Sequence, residues 1–297
     1  MTSSRILAWT VRLYLLAFFG YLFLPLVIMG AATFNESRFP TITPWMGTTL
    51  KWFGELAEDR AMWSGLWTSL VIGAGVVATA VPVGMAAALL LSALHKRART
   101  FAYAVMVSPL LTPGVIIGIS TLIFWQRFDV GGGVLLTVIA QTTYIAAYVM
   151  LMVLARMQRF DRTLEEAALD LGATQMQVFR RITLPYLRPA LLAGGFIAFL
   201  QSFENYNTTL FVRGVDTTLT IYIASKVRTG VTPAVNALGL ILIAVTILAA
   251  IAYEIYRRRE LARAAAARRE ADAADAALTG RFGTQPAGST RKGKIGL

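Results

Sequence analysis

The chain has 297 residues, is 56% hydrophobic and carries a formal net charge of +12; its mean hydropathy is +0.61. Such a composition exceeds that of a soluble domain and predicts an integral membrane protein. With no cysteine and a single histidine, His95, disulfides, thiolate catalysis and Cys-ligated metals are excluded, and with them most imidazole acid–base and zinc chemistry.

Six apolar runs are long enough to cross a hydrocarbon core at about 1.5 Å per residue. The predicted spans are 11–32, 66–94, 101–125, 134–155, 190–212 and 237–256. The first is expected to be retained rather than cleaved, because it is long and Pro25 interrupts it without a small-residue cleavage pattern. The loop after it is rich in tryptophan. Trp45, Trp52, Trp63 and Trp67 are expected to form an interfacial aromatic belt, with a ligand-binding role as the alternative. Residues 53–60 are expected to form a short surface helix. In the second span Gly73, Gly75 and Gly84 predict close helix packing, as do Gly194 and Gly195 in the fifth. Pro109 and Pro113-Gly114 break the third span, as a hinge or as a plain packing kink. Gly131-Gly132-Gly133 reads as a flexible outer turn.

Charge orients the spans. Arg5 and Arg12 precede the first span, and His95-Lys96-Arg97-Ala98-Arg99 follows the second. Six arginines from Arg156 to Arg188 follow the fourth, and Arg257-Arg258-Arg259 follow the sixth. By the positive-inside rule these segments and both termini are cytoplasmic. The loop between the fifth and sixth spans sets Arg213, Lys226 and Arg228 against Asp216 on the outer side, a small surplus suited to docking. From Arg257 onward ten Lys/Arg face four Asp/Glu. The positive charge therefore lies in loops and tail, where it suits anionic membrane lipids and not nucleic acid.

The tail is expected to begin as an Ala/Arg/Glu helix and to become disordered from Thr279. Residues 288–294 satisfy the G-x-x-x-x-G-K pattern of a phosphate-binding loop, but Ile295 follows where Ser or Thr is required. ATP hydrolysis is therefore assigned to a partner.

The 163–189 loop is polar and helix-forming between two apolar spans. Thr163 with Glu166 fits a capping box. Gly172 is placed to end the first helix in the left-handed conformation. Thr174 with Gln177 offers a second capping box, opening a helix over 175–183. Pro185 and Pro189 are expected to interrupt that helix and turn the chain into the membrane. Glu166-Ala167-Ala168, then Gly172, Phe179, Ile182, Leu184 and Pro185, resemble the "EAA" loop of ABC-importer permeases. That resemblance implies a coupling helix docking into a cleft of a cytoplasmic ATPase dimer.

From about residue 67 to 253 the chain is similar to type I ABC-importer permeases. The resemblance implies an all-α, polytopic bundle of six transmembrane helices with a cytoplasmic coupling helix. It divides the chain into an N-terminal span and periplasmic loop (1–65), a transmembrane domain (66–256) and a basic tail (257–297). It further implies a bacterial inner-membrane subunit paired with a second permease and served by a periplasmic solute-binding protein. ATP and Mg would be bound by the ATPase, with no cofactor in this chain.

Ser202-Phe203-Glu204-Asn205 and the 221–237 segment are similar to the permease subunits of spermidine/putrescine importers, which implies a cationic solute. Asn205 stands where a second carboxylate of that pattern is expected. An amino-acid derivative, an opine-like compound, thiamine and ferric ion remain as alternatives.

Glu204 is expected within the outer half of the bilayer, about 22 Å along the fifth span. An ionisable group near the membrane centre costs about 2.5–3.5 kcal/mol, so it should face a bundle interior or a cavity. Gln201, Glu204 and Thr208 fall at i, i+3 and i+7, on one face of a continuous helix. Asn205 and Tyr206 flank that face, and Phe203, Tyr206 and Tyr222 offer aromatic faces for a cation. Either Glu204 lines a translocation path, or it is a structural carboxylate paired with Lys226 or Arg228. An intramembrane enzyme is disfavoured by the absence of Cys, of a second His and of a carboxylate pair in the spans. A channel or ion-coupled carrier would not need the 163–189 loop, and inverted repeats are not evident.

Overall fold

The computed structural model describes the backbone over residues 2–281, with side chains for 7–259 and Ala262. The 288–294 motif lies outside the described residues. Twelve helices are present among those described: α1 (Thr2–Thr33), α2 (Lys51–Glu58), α3 (Arg60–Ala93), α4 (Lys96–Leu111), α5 (Gly114–Gln126), α6 (Val134–Met157), α7 (Thr163–Asp170), α8 (Gln175–Val178), α9 (Leu184–Phe203), α10 (Thr209–Val212), α11 (Leu219–Thr229) and α12 (Pro233–Arg281). A π-helical segment, Phe179–Thr183, joins α8 to α9. The expected all-α class holds, with one isolated bridge, Asn35 to Thr48, among the described residues.

Five helical stretches are long and apolar enough to cross a membrane: Leu7–Thr33, Arg60–Ala93, Val134–Met157, Gln175–Phe203 and Pro233–Arg259. The third predicted span is broken. α4 and α5 meet at 102° across Thr112-Pro113. Pro113 gives no N–H to a continuing helix.

The chain divides into two units, one up to Ala237 and one from Leu238. In the first, α3, α6 and α9 pack around Ile72, Val76, Leu91, Ile145, Val149, Met150 and Leu187. Helices in lipid gain little from the hydrophobic effect, so their association needs close backbone approach. Gly84 provides it. A Cβ there would stand 2.6 Å from Ala146 O and 2.7 Å from Val149 Cβ. Gly73 receives the Phe199 ring in the same way. α1 buries little; its side chains from Leu7 to Ile28 are exposed. In the second unit Glu254 pairs with Arg257 and Arg258, one turn away on α12.

The loop between α1 and α2 is organised by Asn35. Its Nδ2 donates to Thr41 O at 2.8 Å and Pro44 O at 3.0 Å. Its Oδ1 accepts from Met46 N at 2.9 Å, and its carbonyl accepts from Trp52 Nε1 at 2.8 Å. This corrects one expectation: Trp52 is 4% exposed and forms the loop's core. Burying an indole is tolerated because its N–H has found a partner. Trp45, Trp63 and Trp67 stay exposed. The triple glycine also departs from a flexible turn. Gly133 N donates to Val212 O at 2.8 Å, and a Cβ on Gly132 would stand 2.6 Å from Gly214 N.

α11 is tied to the N-terminal end of α3 through Asp59. One carboxylate oxygen caps α3, accepting from Ala61 N at 2.9 Å and Met62 N at 3.1 Å. The other accepts from the Tyr222 hydroxyl at 2.8 Å and faces Lys226 Nζ at 3.3 Å. Ser69 adds a further tie, accepting from Leu219 N at 2.9 Å. Partial burial alone would push the Asp59 carboxyl up. The Tyr222 hydroxyl, Met62 N–H and Lys226 ammonium outweigh it and hold the group below its ordinary value of 3.8.

Two outcomes are expected. Gly84→Ala should cost about 1–3 kcal/mol by driving α3 from α6, read as a lower thermal unfolding midpoint in detergent. Asp59→Asn keeps an oxygen to cap α3 but loses the charge that faces Lys226 and accepts from Tyr222, and should cost about 1 kcal/mol. Because the folded value is depressed, Asp59's contribution is fully present above the unfolded value of 3.8 and lost as pH falls through the lower folded one. The Asn variant should lack that acid-dependent loss in a pH series of unfolding midpoints.

Candidate functional site

Two constellations stand out: the α7–α8 loop, and the turn that ends α9.

The loop begins at Asp161. Its carboxylate accepts from Thr163 N at 3.0 Å and Thr163 Oγ1 at 2.8 Å. These bonds, the hydroxyl's first, hold the Asp161 carboxyl below its ordinary value. The expected Thr163–Glu166 capping box is therefore not formed. An ionised carboxylate is the stronger acceptor, and it occupies both donors of Thr163, which becomes the first helical residue. Glu165, not Glu166, is tied down: it accepts from the Thr183 hydroxyl. Glu166 and Ala167 face outward, with Ala168 half-buried.

α7 ends as expected. Gly172 has φ +86°, in the left-handed region that favours glycine. Gly172 N donates to Leu169 O at 2.9 Å and Ala173 N to Ala168 O at 3.0 Å, which is the Schellman pattern. The second capping box is present. Gln177 N donates to Thr174 Oγ1, and Thr174 N to Gln177 Oε1 at 2.8 Å. The prolines do not interrupt the helix that this box opens. Gln175–Phe203 is one helical stretch of 29 residues. Pro185 falls in the first turn of α9, where the π segment widens the register; Leu184 N donates to Phe179 O, five residues back. Phe179, Ile182 and Pro185 are half-buried along it.

This polar loop exposes apolar side chains at its tip. Leu171 is 89% exposed, and Leu164 and Met176 are exposed elsewhere in the loop.

The second constellation corrects the expected geometry. α9 stops at Phe203, with Glu204 as its C-cap. Gln201, Glu204 and Thr208 therefore do not share one helix face. A polar network replaces the continuing helix. Asn205 Oδ1 accepts from Thr209 N at 3.1 Å and Thr209 Oγ1 at 2.9 Å, starting α10. Asn205 Nδ2 donates to the Tyr144 hydroxyl at 2.6 Å, and Asn205 O accepts from Thr220 Oγ1 at 2.9 Å. Buried Gln141 donates to Thr209 Oγ1 at 2.8 Å and accepts from Ser202 Oγ. Thr208 is buried against the α4–α5 break: a Cβ on Gly118 would stand 2.7 Å from Thr208 O.

Glu204 itself is exposed. The expected partners are engaged elsewhere: Lys226 pairs with Asp59 at 3.3 Å, and Arg228 Nη2 donates to the Tyr206 hydroxyl at 3.0 Å. Among the described residues Glu204 forms no ion pair. Phe203 stacks on Phe199 at 5.7 Å, and Gln201 is half-buried. Tyr222 stands apart, bound to Asp59. Sequence reasoning named Ser202 only within a motif, without this role, and missed Gln141, Tyr144, Thr209 and Thr220. One signal was available for Gln141, a strong polar group in an otherwise apolar span.

The chain matches the model of the "Binding-protein-dependent transport system inner membrane component" family over residues 80–261. The putrescine transport system permease protein PotI of Escherichia coli (strain K12) is 36% identical over 261 residues, covering 85% of this chain and 92% of that protein. The spermidine/putrescine transport system permease protein PotC of the same strain is 29% identical over 246 residues, covering 82% and 92%. Among solved structures, a chain of a bacterial ABC transporter involved in import of the acidic polysaccharide alginate superposes with TM-score 0.64 at 14% identity, covering 87% of this chain and 98% of that one. A chain of an amino acid ABC transporter superposes with TM-score 0.52 at 20% identity, covering 71% and 100%. The chain thus belongs to the binding-protein-dependent transport system inner membrane components, as a non-catalytic, multi-pass permease subunit of an ABC importer.

Proposed function

We propose that this subunit passes a small polycation of the putrescine and spermidine kind through the membrane, and that Glu204 is the carboxylate that attracts it. The observation that carries this reading is an exposed carboxylate without an ion pair, at the point where a spanning helix stops. The C-terminal end of α9 adds partial negative charge to that carboxylate. Tyr206 supplies an aromatic face beside it. The names of the two Escherichia coli relatives, both polyamine permeases, support the same solute class.

The 163–185 loop is the docking element for a cytoplasmic ATPase dimer, with Glu166, Ala167, Ala168 and Gly172 at its tip and Phe179, Ile182 and Pro185 behind. Small tip residues allow close approach, and Leu171 and Met176 supply apolar anchors. ATP and Mg belong to that ATPase. A second permease completes the pathway, and a periplasmic binding protein delivers solute to the outer face. Both termini lie in the cytoplasm of a bacterial inner membrane, as the loop arginines favour.

The helix from Gln175 to Phe203 joins the two constellations without a break. At about 1.5 Å per residue it is a rod about 40 Å long. Closure of the ATPases moves its lower end, and the Glu204 turn at its upper end moves with it. Access then switches from one side to the other as a rigid-body transition.

The deciding measurement is ATPase activity of the reconstituted complex with its binding protein, screened with spermidine, putrescine, thiamine, ferric ion and amino-acid derivatives. Stimulation by a polyamine is expected; stimulation by another compound alone would overturn the solute and keep the machine. Glu204→Gln should lower polyamine uptake about tenfold while the ATPase stays bound, the cost of losing one charged contact. Unchanged uptake of every cation would remove Glu204 from the pathway. Leu171→Asp should weaken ATPase association at least about tenfold, measured by co-purification, with the spans still folded.

A further inference from the structure

A cavity of about 410 Å³ lies beside the α7 loop, on its membrane side. Leu89 and Ala93 line it from the last turns of α3, and Leu154 and Met157 from the last turns of α6. Both helices are membrane spans that end there. The cavity therefore lies where two spans end, beside basic residues of the kind that face lipid headgroups. Its rim carries Arg99, from the first turn of α4, and Arg162, at the N-cap of α7.

The two guanidinium groups are not neutralised. Neither is ion-paired among the described residues, although Asp161, Glu165, Glu166 and Asp170 lie in the adjoining loop. Arg162 donates through Nη2 to Ser92 O at 3.2 Å, which holds its fork at the cavity mouth with donors to spare. Glu165 also lines the wall, but its carboxylate accepts from Thr183 Oγ1. The lining therefore holds two cations, one occupied carboxylate, the polar side chains of Ser92, Gln158 and Thr183, and an apolar part from the ends of α3 and α6.

We infer that this cavity binds the phosphate group of an anionic phospholipid, with Arg99 and Arg162 on the phosphate and the start of the acyl chains on the apolar part of the lining. Paired arginines match phosphate geometry bidentately, and basic pockets between span ends take anionic headgroups. A lipid seated there braces the α7 loop against the ends of α3 and α6. The inference needs neither the proposed solute nor the proposed ATPase contact.

The test is lipid retention by the whole importer complex. The complex is reconstituted in phosphatidylethanolamine with phosphatidylglycerol, extracted in mild detergent and weighed by native mass spectrometry. Wild type is expected to retain phosphatidylglycerol. The Arg99→Gln/Arg162→Gln pair should retain it about tenfold less, from loss of charge-assisted hydrogen bonds. Arg159→Gln should match wild type, because Arg159 is exposed outside the cavity. Equal loss in Arg159→Gln would mean diffuse charge, and would overturn the site. The Arg99→Lys/Arg162→Lys pair keeps charge but not the planar fork, and should fall between the two; it serves if the Gln pair fails to assemble. Retention equal to wild type in both pairs would overturn the proposal. A parallel sample without phosphatidylglycerol is given inorganic phosphate. Arginine-dependent phosphate binding there, with no lipid retained in the first arm, would overturn the lipid as the source.

Discussion

A spanning helix that stops while packed against other spans leaves amide and carbonyl groups that must find partners within the protein. Each one left buried and unsatisfied costs about 1–3 kcal/mol. α9 stops at Phe203 in that way, and the elements around it are arranged to meet the demand. Asn205 takes over the role of the missing helical turn: its side chain starts α10 and its carbonyl is bonded by Thr220. Gln141, buried on α6, ties Ser202 on one side of the break to Thr209 on the other. The α4–α5 break presses its glycines against the same turn. Two broken elements thus cover one another, and Glu204 is presented at their junction.

Such a junction is useful only on a frame that does not yield. Gly84 lets α3 and α6 approach until backbone meets side chain, and Val149 then serves as a shared contact for Gly84 and Gly194. α9 lies against both. The two constellations sit at the two ends of the helical stretch that contains α9: the Glu204 turn at one, and the 163–183 loop at the other. A second set of ties, through Asp59, Ser69 and Thr220, joins α11 to the start of α3 and to the same turn.

Much of this was legible in the sequence, and the limits have physical reasons. The spans follow from apolar length. The Gly172 stop and the Thr174–Gln177 box follow from local rules, and both are realised. The Thr163–Glu166 box failed because a carboxylate two residues earlier competed for the same donors, a contest that spacing alone does not decide. Trp52 was misplaced because an indole near a membrane entry reads the same whether it faces lipid or a carbonyl such as that of Asn35. The largest miss, the stop at Phe203, is tertiary. Ser202, Asn205 and Thr209 are ordinary in isolation. Only their meeting with Gln141 and Tyr144, about sixty residues away, gives the break its hydrogen bonds.

The π-helical segment has a geometric corollary. It holds one residue more in a turn than the helices on either side, so it takes up that residue without redirecting the chain. Each residue of an α-helix advances the chain by about 100°, and each residue of the wider turn by less. Removing one residue from Phe179–Thr183 would let the turn close to ordinary α-helical bonding, with the 163–178 loop and the Glu204 turn keeping nearly the same azimuth. Removing one from the regular part of α9 would instead swing one end about a quarter of a turn against the other. The π turn is thus the slack in this rod's register, the place where a residue can be lost with least effect on where its two ends point.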